Sequence, residues 1–477
     1  RGREAEVARH WLAAGPRHVG DAWPAAQAAA RSATAVYAYV EALEMLEHAL
    51  RAQDADPASG ERARFEILAD LADVLRRAGR WIELREVAHE AVEVADEVDD
   101  LDLLIRAGVM TSTGALWQSA AHAQVDPVMV DALRRALDAL PDDDDPRRCR
   151  VMLALAGEIY YDSTTHEREA LAEEAVAMAR RLGEPELTLT ASLHASIAIW
   201  RGGTARQRLE LTTDAVALAT ELDDGLALGS AHTLRAVAAG ELGDVAILDE
   251  SLAAGRGVAE HLRHVYALLL LDSVEVSWAA MRGRFDTVTE TIAHMLRIGE
   301  TVSITGYEES VAGAFMMQML WQGRDEEMLE GLLALTESTF LPIDTTVVAV
   351  QCRTGHLDAA RAWLDAHPEG VAAGIESDTW FSPMAWSMGA EAACYLGEPE
   401  LAAAAYARLI DLAGQPACAG SGTAIGPVDM FLAMAAHATG QADLAARHAD
   451  RALELCATWK VPLAAEWVRR ERERFGF

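Results

Sequence analysis

Gly203, Gly243, Gly283 and Gly323 stand forty residues apart, each after an apolar helical run and each before a polar residue that opens another. A tight helix-to-helix turn needs a residue that enters left-handed backbone space cheaply, and glycine does so because it has no Cβ. Three equal spacings define a unit that repeats. A period in this range belongs to an array of helical hairpins, each burying its apolar face against its neighbours, so function must be sought on the surfaces such an array creates.

An array also accommodates the size of the chain. Its 477 residues, 51% of them hydrophobic, can bury a large core but exceed what one compact globule holds. The formal net charge of −34 argues against contact with phosphate backbones, which need clustered Lys and Arg; Lys460 is the only lysine. No direct nucleic-acid contact is expected. Cys149, Cys352, Cys394, Cys418 and Cys456 are too scattered for a metal or disulfide framework and read as reduced, core-filling thiols of a cytoplasmic protein. The longest apolar runs, such as 265–271, fall far short of a membrane span. The chain begins Arg-Gly-Arg-Glu and reads as a segment of something longer.

In chain order, the apolar spacing predicts helices over 4–14, 21–34 and 37–53, a hairpin of 62–78 with 81–97 around Gly79, and a pair 101–117 and 127–140. Further pairs follow: 148–161 with 166–182, 187–200 with 206–222, 226–242 with 245–259, 262–281 with 285–298, and 308–321 with 326–335. The next copy is short, 345–353 with 357–366, and is expected to bend the solenoid and close one side of its interior. Pairs 381–396 with 401–412 and 428–439 with 442–456 complete the series, and 461–475 caps it. About eleven hairpins result, with turns near Tyr37, Gly79, Gln124, Ser163, Gly203, Gly243, Gly283, Gly323, Gly355, Gly397 and Gly440. The segment Leu182-Gly-Glu-Pro-Glu-Leu187 recurs at Leu396–Leu401: glycine ends one helix, proline fits the next first turn, and glutamates favour its positive end. The whole is expected to be all-α, one continuous right-handed solenoid with terminal capping helices. It divides into N-terminal helices (1–60), a long-period superhelix (61–340) and C-terminal hairpins (341–477).

Motifs that carry catalysis are missing. There is no GxxxxGK[ST]; Gly420, Gly422 and Gly426 lie in a stretch without the lysine and read as a flexible connection. There is no HExxH, His261 and His264 have no third ligand in view, and no GxSxG elbow occurs. The acidic run 142–145 reads as a solvated loop. Neither an enzyme nor a cofactor is expected.

Three later turns carry a family resemblance. Gly355-His-Leu-Asp-Ala-Ala360, Gly397-Glu-Pro-Glu-Leu-Ala402 and Gly440-Gln-Ala-Asp-Leu-Ala445 resemble the tetratricopeptide repeat, in which a turn is followed by a small alanine that lets the second helix pack closely on the first. The period is longer than the usual roughly 34 residues. At the N-terminus, Val7-Ala-Arg-His-Trp-Leu-Ala-Ala-Gly15 and Tyr37-Ala-Tyr-Val-Glu-Ala-Leu-Glu-Met-Leu-Glu-His-Ala-Leu50 resemble the start of the repeat region in large bacterial signal-transduction ATPase regulators of LuxR and antibiotic-regulator type. That resemblance implies the sensor region of a transcription regulator, with the ATPase and DNA-binding domains of the parent protein as partners.

The first helix of each pair is expected to line the concave face. Counted from the turns, the inward residues are Tyr160, Tyr161, Thr190, Trp200, Ser230, Thr233, Ser273, Ser277, Ser310, Met317, Trp321, Met384, Ser387 and Glu391, with Trp117, His194, His232, Trp278, Met316, Trp380 and Trp386 nearby. Of these, Tyr160, Tyr161, His194, Trp200, Thr233, Ser273, Ser277, Trp278, Met317, Trp321, Met384 and Glu391 are the twelve expected to bind a ligand. A groove for peptide carboxylates would carry Lys and Arg there. This set suits a mostly apolar small molecule with a few hydroxyl or carbonyl groups. Two readings follow: a ligand-sensing module, favoured by a closed tunnel lined by Trp200, Trp278 and Trp321, and a protein-interaction scaffold, favoured by an open groove with those tryptophans packed between repeats. Homo-oligomers are compatible with either.

Overall fold

The computed structural model describes residues 3–117, 123–162, 165–336, 339, 341–421 and 423–477. The chain is an α-solenoid whose helices follow one another as antiparallel pairs. The central pairs are Pro185–Ala198 with Ala205–Glu221, Gly225–Leu242 with Val245–Leu262, Val265–Met281 with Phe285–Gly299, and Tyr307–Gln322 with Asp325–Leu335. Shorter pairs follow, Asp344–Arg353 with Leu357–Ala366, Ser382–Leu396 with Pro399–Leu409, and Val428–Ala438 with Ala442–Trp459, and Pro462–Phe475 closes the array. The four beat glycines all adopt left-handed backbone, with φ of 84, 71, 74 and 69°. Ala360, Ala402 and Ala445, the small residues after the later turns, are completely buried. The beat also shows in the contacts: the Tyr160 hydroxyl donates to the Trp200 carbonyl forty residues on, and the Trp200 indole donates to Glu241 at 2.7 Å, forty-one residues on.

First and second helices bury differently, and the sequence says why. Val265–Met281 is apolar almost all round and is buried on nearly every side, as a helix must be when it has neighbours on both faces. Its partner Phe285–Gly299 buries only Val288, Thr291, Ile292, Met295 and Ile298, one stripe at helical spacing. First helices therefore form the inner layer and second helices the outer one.

Three local expectations change. The helix expected over 101–117 stops at Gly108, and the Thr111-Ser-Thr-Gly114 stretch continues as turns that bring Leu116 and Trp117 inward. A helix not anticipated, Pro368–Glu376, follows the short copy, with proline in its first turn where the missing N–H costs nothing. The stretch holding Gly420 and Gly426 is an antiparallel β-hairpin, Pro416–Ala419 with Thr423–Pro427, and its strands are almost wholly buried. Gly422 and the expected turn at Ser163 lie outside the described residues.

The solenoid also returns to itself. Trp81 N donates to the Ser303 carbonyl at 2.7 Å and Ser303 N donates to the Gly79 carbonyl at 3.0 Å, while Trp81 packs edge-on against Tyr266, ring centroids 5.2 Å apart. A second return joins Trp380 to Tyr160 and Tyr161, at sequence separations of 220 and 219. Both returns span about five and a half forty-residue repeats, so successive turns of the superhelix touch.

Buried ion pairs tie neighbouring repeats in register. Arg208 pairs with Glu241, and Arg353 grips Glu391 with two bonds of 2.6 Å. Asp272, completely buried, lies 2.8 Å from Arg256 and 2.6 Å from His294. Breaking one partner of such a pair leaves an uncompensated buried charge and costs roughly 3–5 kcal/mol.

Two expectations about stability follow. At Gly243 (φ 71°) an added Cβ would meet the Trp459 indole at 2.5 Å, whereas at Gly397, with the same φ, it would meet nothing within 4 Å. Gly397→Ala should therefore cost only the left-handed backbone penalty of ~1–2 kcal/mol, and Gly243→Ala clearly more because the indole must move. Paired thermal melts check the order; equal losses would show that Trp459 yields freely. Burial, with Arg76 beside His194 and Arg77 beside His264, holds both imidazoles down to about 4. A depressed folded value contributes stability that is fully present above the unfolded pKa near 6.5 and is lost as pH falls toward 4. Each histidine should cost at most ~2 kcal/mol by about pH 5. His264→Gln should flatten the decline in melting temperature between neutral pH and about pH 5, measured against its own neutral value.

Candidate ligand cavity

The concave space of the superhelix is not an open groove, because the hairpin 416–427 lies in it. Its strands pack against Gly225–Leu242, Val265–Met281, Tyr307–Gln322 and Ser382–Leu396, all first helices. Small side chains make the insertion possible: Ala417, Cys418, Ala419 and Ala424 are buried. Buried backbone needs partners. The Ala424 N–H donates to Ser277 Oγ at 3.0 Å, the Gly420 N–H to the Trp380 carbonyl at 3.3 Å, and the Val428 N–H to the Gln415 carbonyl at 2.9 Å. Gly420, at φ 55°, sits so close to Trp117 that an added Cβ would stand 2.5 Å from the indole.

Between the hairpin tip and the helices from 307 to 396 is a cavity of about 170 Å³. That is the scale of dry, apolar cavities of roughly 150 Å³ that accept benzene-sized guests. Five methionines line it, Met316, Met317, Met328, Met384 and Met388, together with Tyr161, Tyr266, Trp117, Trp380 and Phe381. Thioethers on unbranched side chains adapt their shape to a guest. The polar features are few. The Tyr161 hydroxyl accepts from Trp380 Nε1 at 2.8 Å, and burial pushes the phenol up so that it stays neutral. Ser310 Oγ donates to the Gly306 carbonyl at 2.8 Å, while Thr346 Oγ1 is buried in the lining without a hydrogen-bond partner. Among the described residues, the charged ones that reach the cavity are Arg353 and Glu309. Burial raises the Glu391 carboxyl and the Arg353 guanidinium draws it back down, and the same guanidinium lies over the Trp467 ring at 5.3 Å.

The twelve residues expected to bind a ligand divide by what they touch. Tyr161, Met317 and Met384 line the cavity, as do the nearby Trp117, Met316 and Trp380. His194 lines a smaller neighbouring void with Thr111, Trp117 and Glu158. Ser277 anchors the hairpin. Thr233 and Ser273 turn their hydroxyls back to the carbonyls of Gly229 and Leu269, the usual resort of hydroxyls inside a helix. Glu391 is consumed by Arg353. Tyr160 is buried under the Arg168 guanidinium and accepts from the Trp380 N–H.

Trp200, Trp278 and Trp321, which would line a closed tunnel under the sensing reading and pack between repeats under the scaffold reading, do not border this cavity. Trp200 packs on Trp117 with centroids 4.6 Å apart and under Arg208, Trp278 packs toward Trp459, and Trp321 packs against the main core. Their size makes them the filler between repeats, where they remove the most apolar surface from water. The sequence reading missed Tyr266, Met328, Val350, Met388 and the hairpin residues Ala419, Thr423 and Ile425. The signal for the hairpin was present: Pro-Ala-Cys-Ala and Thr-Ala-Ile-Gly-Pro flank Gly420-Ser-Gly, two short apolar runs around a glycine turn with proline at both outer ends.

Among the described residues there is no cluster of three or more His, Cys, Asp or Glu able to hold a metal ion, and no helix is long and apolar enough to cross a membrane. No protein-family model matches the chain, and no curated protein matches it. Among solved structures it is similar to a Rap protein complexed with competence and sporulation factor, at 13% identity over 64% of this chain and 76% of that one, TM-score 0.40. It is similar, too, to a signal-transduction ATPase with a tetratricopeptide-repeat sensor from Pyrococcus horikoshii, at 12% identity over 66% of this chain and 40% of that one, TM-score 0.29. A third likeness is to a circular tandem repeat protein, at 14% identity over 99% of this chain and 95% of that one, TM-score 0.14.

Proposed function

We propose that this chain is a ligand-sensing repeat module, a binding protein without catalytic activity, which takes a mostly apolar small molecule into the cavity behind the hairpin. The observation that carries the reading is the hairpin 416–427 itself. It occupies the concave face that a scaffold would offer to a partner's helix or peptide, and it converts that face into a chamber lined by methionine and aromatic side chains. A guest that buries ~200 Å² of apolar surface there gains at most ~5 kcal/mol at ~25 cal/mol per Å². The resemblance of the N-terminal segment to ATPase regulators extends the proposal: the chain serves as the sensor region of a cytoplasmic transcription regulator whose ATPase and DNA-binding domains are its partners.

Sensing requires that the ligand bind one arrangement of the array better than another. The cavity supports this because its walls come from separate repeats: Tyr266 and Leu270 from one pair, Met317 from the next, Val350 from the short copy and Met384 from the one beyond. A guest filling the space draws these together, and the returns through Tyr160, Tyr161 and Trp380 couple that change to repeats 220 residues earlier.

A thermal-shift screen of the whole chain against apolar metabolites tests the proposal. A true ligand raises the melting temperature with increasing concentration, approaching ~2.7 kcal/mol of added stability at about 100-fold excess over Kd. Met384→Trp, which fills the cavity, should abolish the shift, and Trp278→Phe, packed elsewhere, should leave it. A hit that survives Met384→Trp binds outside the cavity and removes the basis of the proposal.

A further inference from the structure

The charge arrangement around the cavity narrows the class of ligand. Among the described lining residues the cation is Arg353, and its charge is already paired: both of its bonds to Glu391 are 2.6 Å long, in a pair that is almost wholly buried. Such a bidentate pair has no reason to open for a second carboxylate. The remaining charge is Glu309. It lies in the first turn of Tyr307–Gln322, it is the exposed residue among the described lining residues, and it makes no hydrogen bond or ion pair among the described residues. Glu309 and the Tyr161 ring both border the chamber, so a negative charge and an aromatic wall face the same space. The rings of Trp117, Tyr161 and Trp380 line that chamber. Their negative faces attract cations and add to the pull of the carboxylate. The net charge of −34 biases the whole surface the same way.

We infer that the ligand is an apolar amine: a compact hydrocarbon or aryl body that fills the methionine-lined space and a single protonated nitrogen held between Glu309 and the aromatic rings. The inference rests on the proposed sensing role and adds the ligand's charge to it. A carboxylate of the same skeleton meets Glu309 with like charge and finds no cation to replace it. A neutral alcohol keeps the apolar contacts and can use the unpartnered Thr346 hydroxyl, but lacks the ionic one.

The test uses three compounds with one skeleton: phenethylamine, 2-phenylethanol and phenylacetate, titrated calorimetrically into the full chain at neutral pH and low salt. The amine should bind at least ~10-fold more tightly than the alcohol, and the carboxylate most weakly; added salt should shrink the amine's advantage because Glu309 is exposed. Glu309→Gln should bring the amine to within about twofold of the alcohol, changing the alcohol's own affinity by less than about twofold and lowering the melting temperature only slightly as the first-turn charge is lost. Equal binding of all three, or tightest binding by phenylacetate, overturns the amine assignment and leaves the cavity reading standing. If none of the three binds while other apolar compounds from the screen do, the amine assignment alone falls. If no apolar compound binds, both fall together.

Discussion

The superhelix encloses an interior because it meets itself after 220 residues. The Trp380 N–H reaches the Tyr160 hydroxyl at 3.2 Å, and Ser303 bonds to the backbone of Gly79 and Trp81. A solenoid whose turns stay apart offers a groove; one whose turns touch offers a wall. Aromatic rings pack at both returns, Trp81 on Tyr266 and Trp380 on Trp117. Trp117 sits at the second, 4.6 Å from Trp200 and 4.9 Å from Trp380, so that inner packing, return contact and cavity share one residue.

The hairpin is the second requirement. A two-stranded ribbon is marginal alone in water, and this one is held because first helices pack against it together with Ala442–Trp459 and the terminal helix Pro462–Phe475. Its backbone partners come from Ser277 and Trp380, residues 147 positions away from Ala424 and on the far return respectively. Hairpin and superhelix therefore stabilise each other, and the chamber is what remains between them.

Much of the fold was legible in the sequence because it is written in short-range terms. Glycine spacing placed the turns at Gly203, Gly243, Gly283 and Gly323, and periodicity placed nearly every helix to within a few residues. The cavity was legible only in part. Counting inward positions identified Tyr161, Met317 and Met384, since those depend on helical phase alone. Trp200 and Trp278 lie away from the cavity, which phase cannot show: it tells which residues face the inner layer but not whether a neighbour already fills the space there. Trp117 and Trp459 fill it for those two, and the hairpin, a long-range insertion, fills it elsewhere on the concave face. Glu391 is a related case: it lies on a first helix and is held by Arg353 from another repeat.

The claim on which this account stands is that one apolar chamber, behind the hairpin, receives the ligand. Methyl NMR of protein labelled at the methionine methyl groups reads that chamber directly, because methionines are distributed both inside and outside it. On titration with any compound that stabilises the chain, the resonances of Met316, Met317, Met328, Met384 and Met388 should shift together, while those of Met45, Met129 and Met152 in the N-terminal repeats stay in place. Shifts confined to the N-terminal methionines, or an unchanged cavity set in the presence of a stabilising ligand, would contradict it.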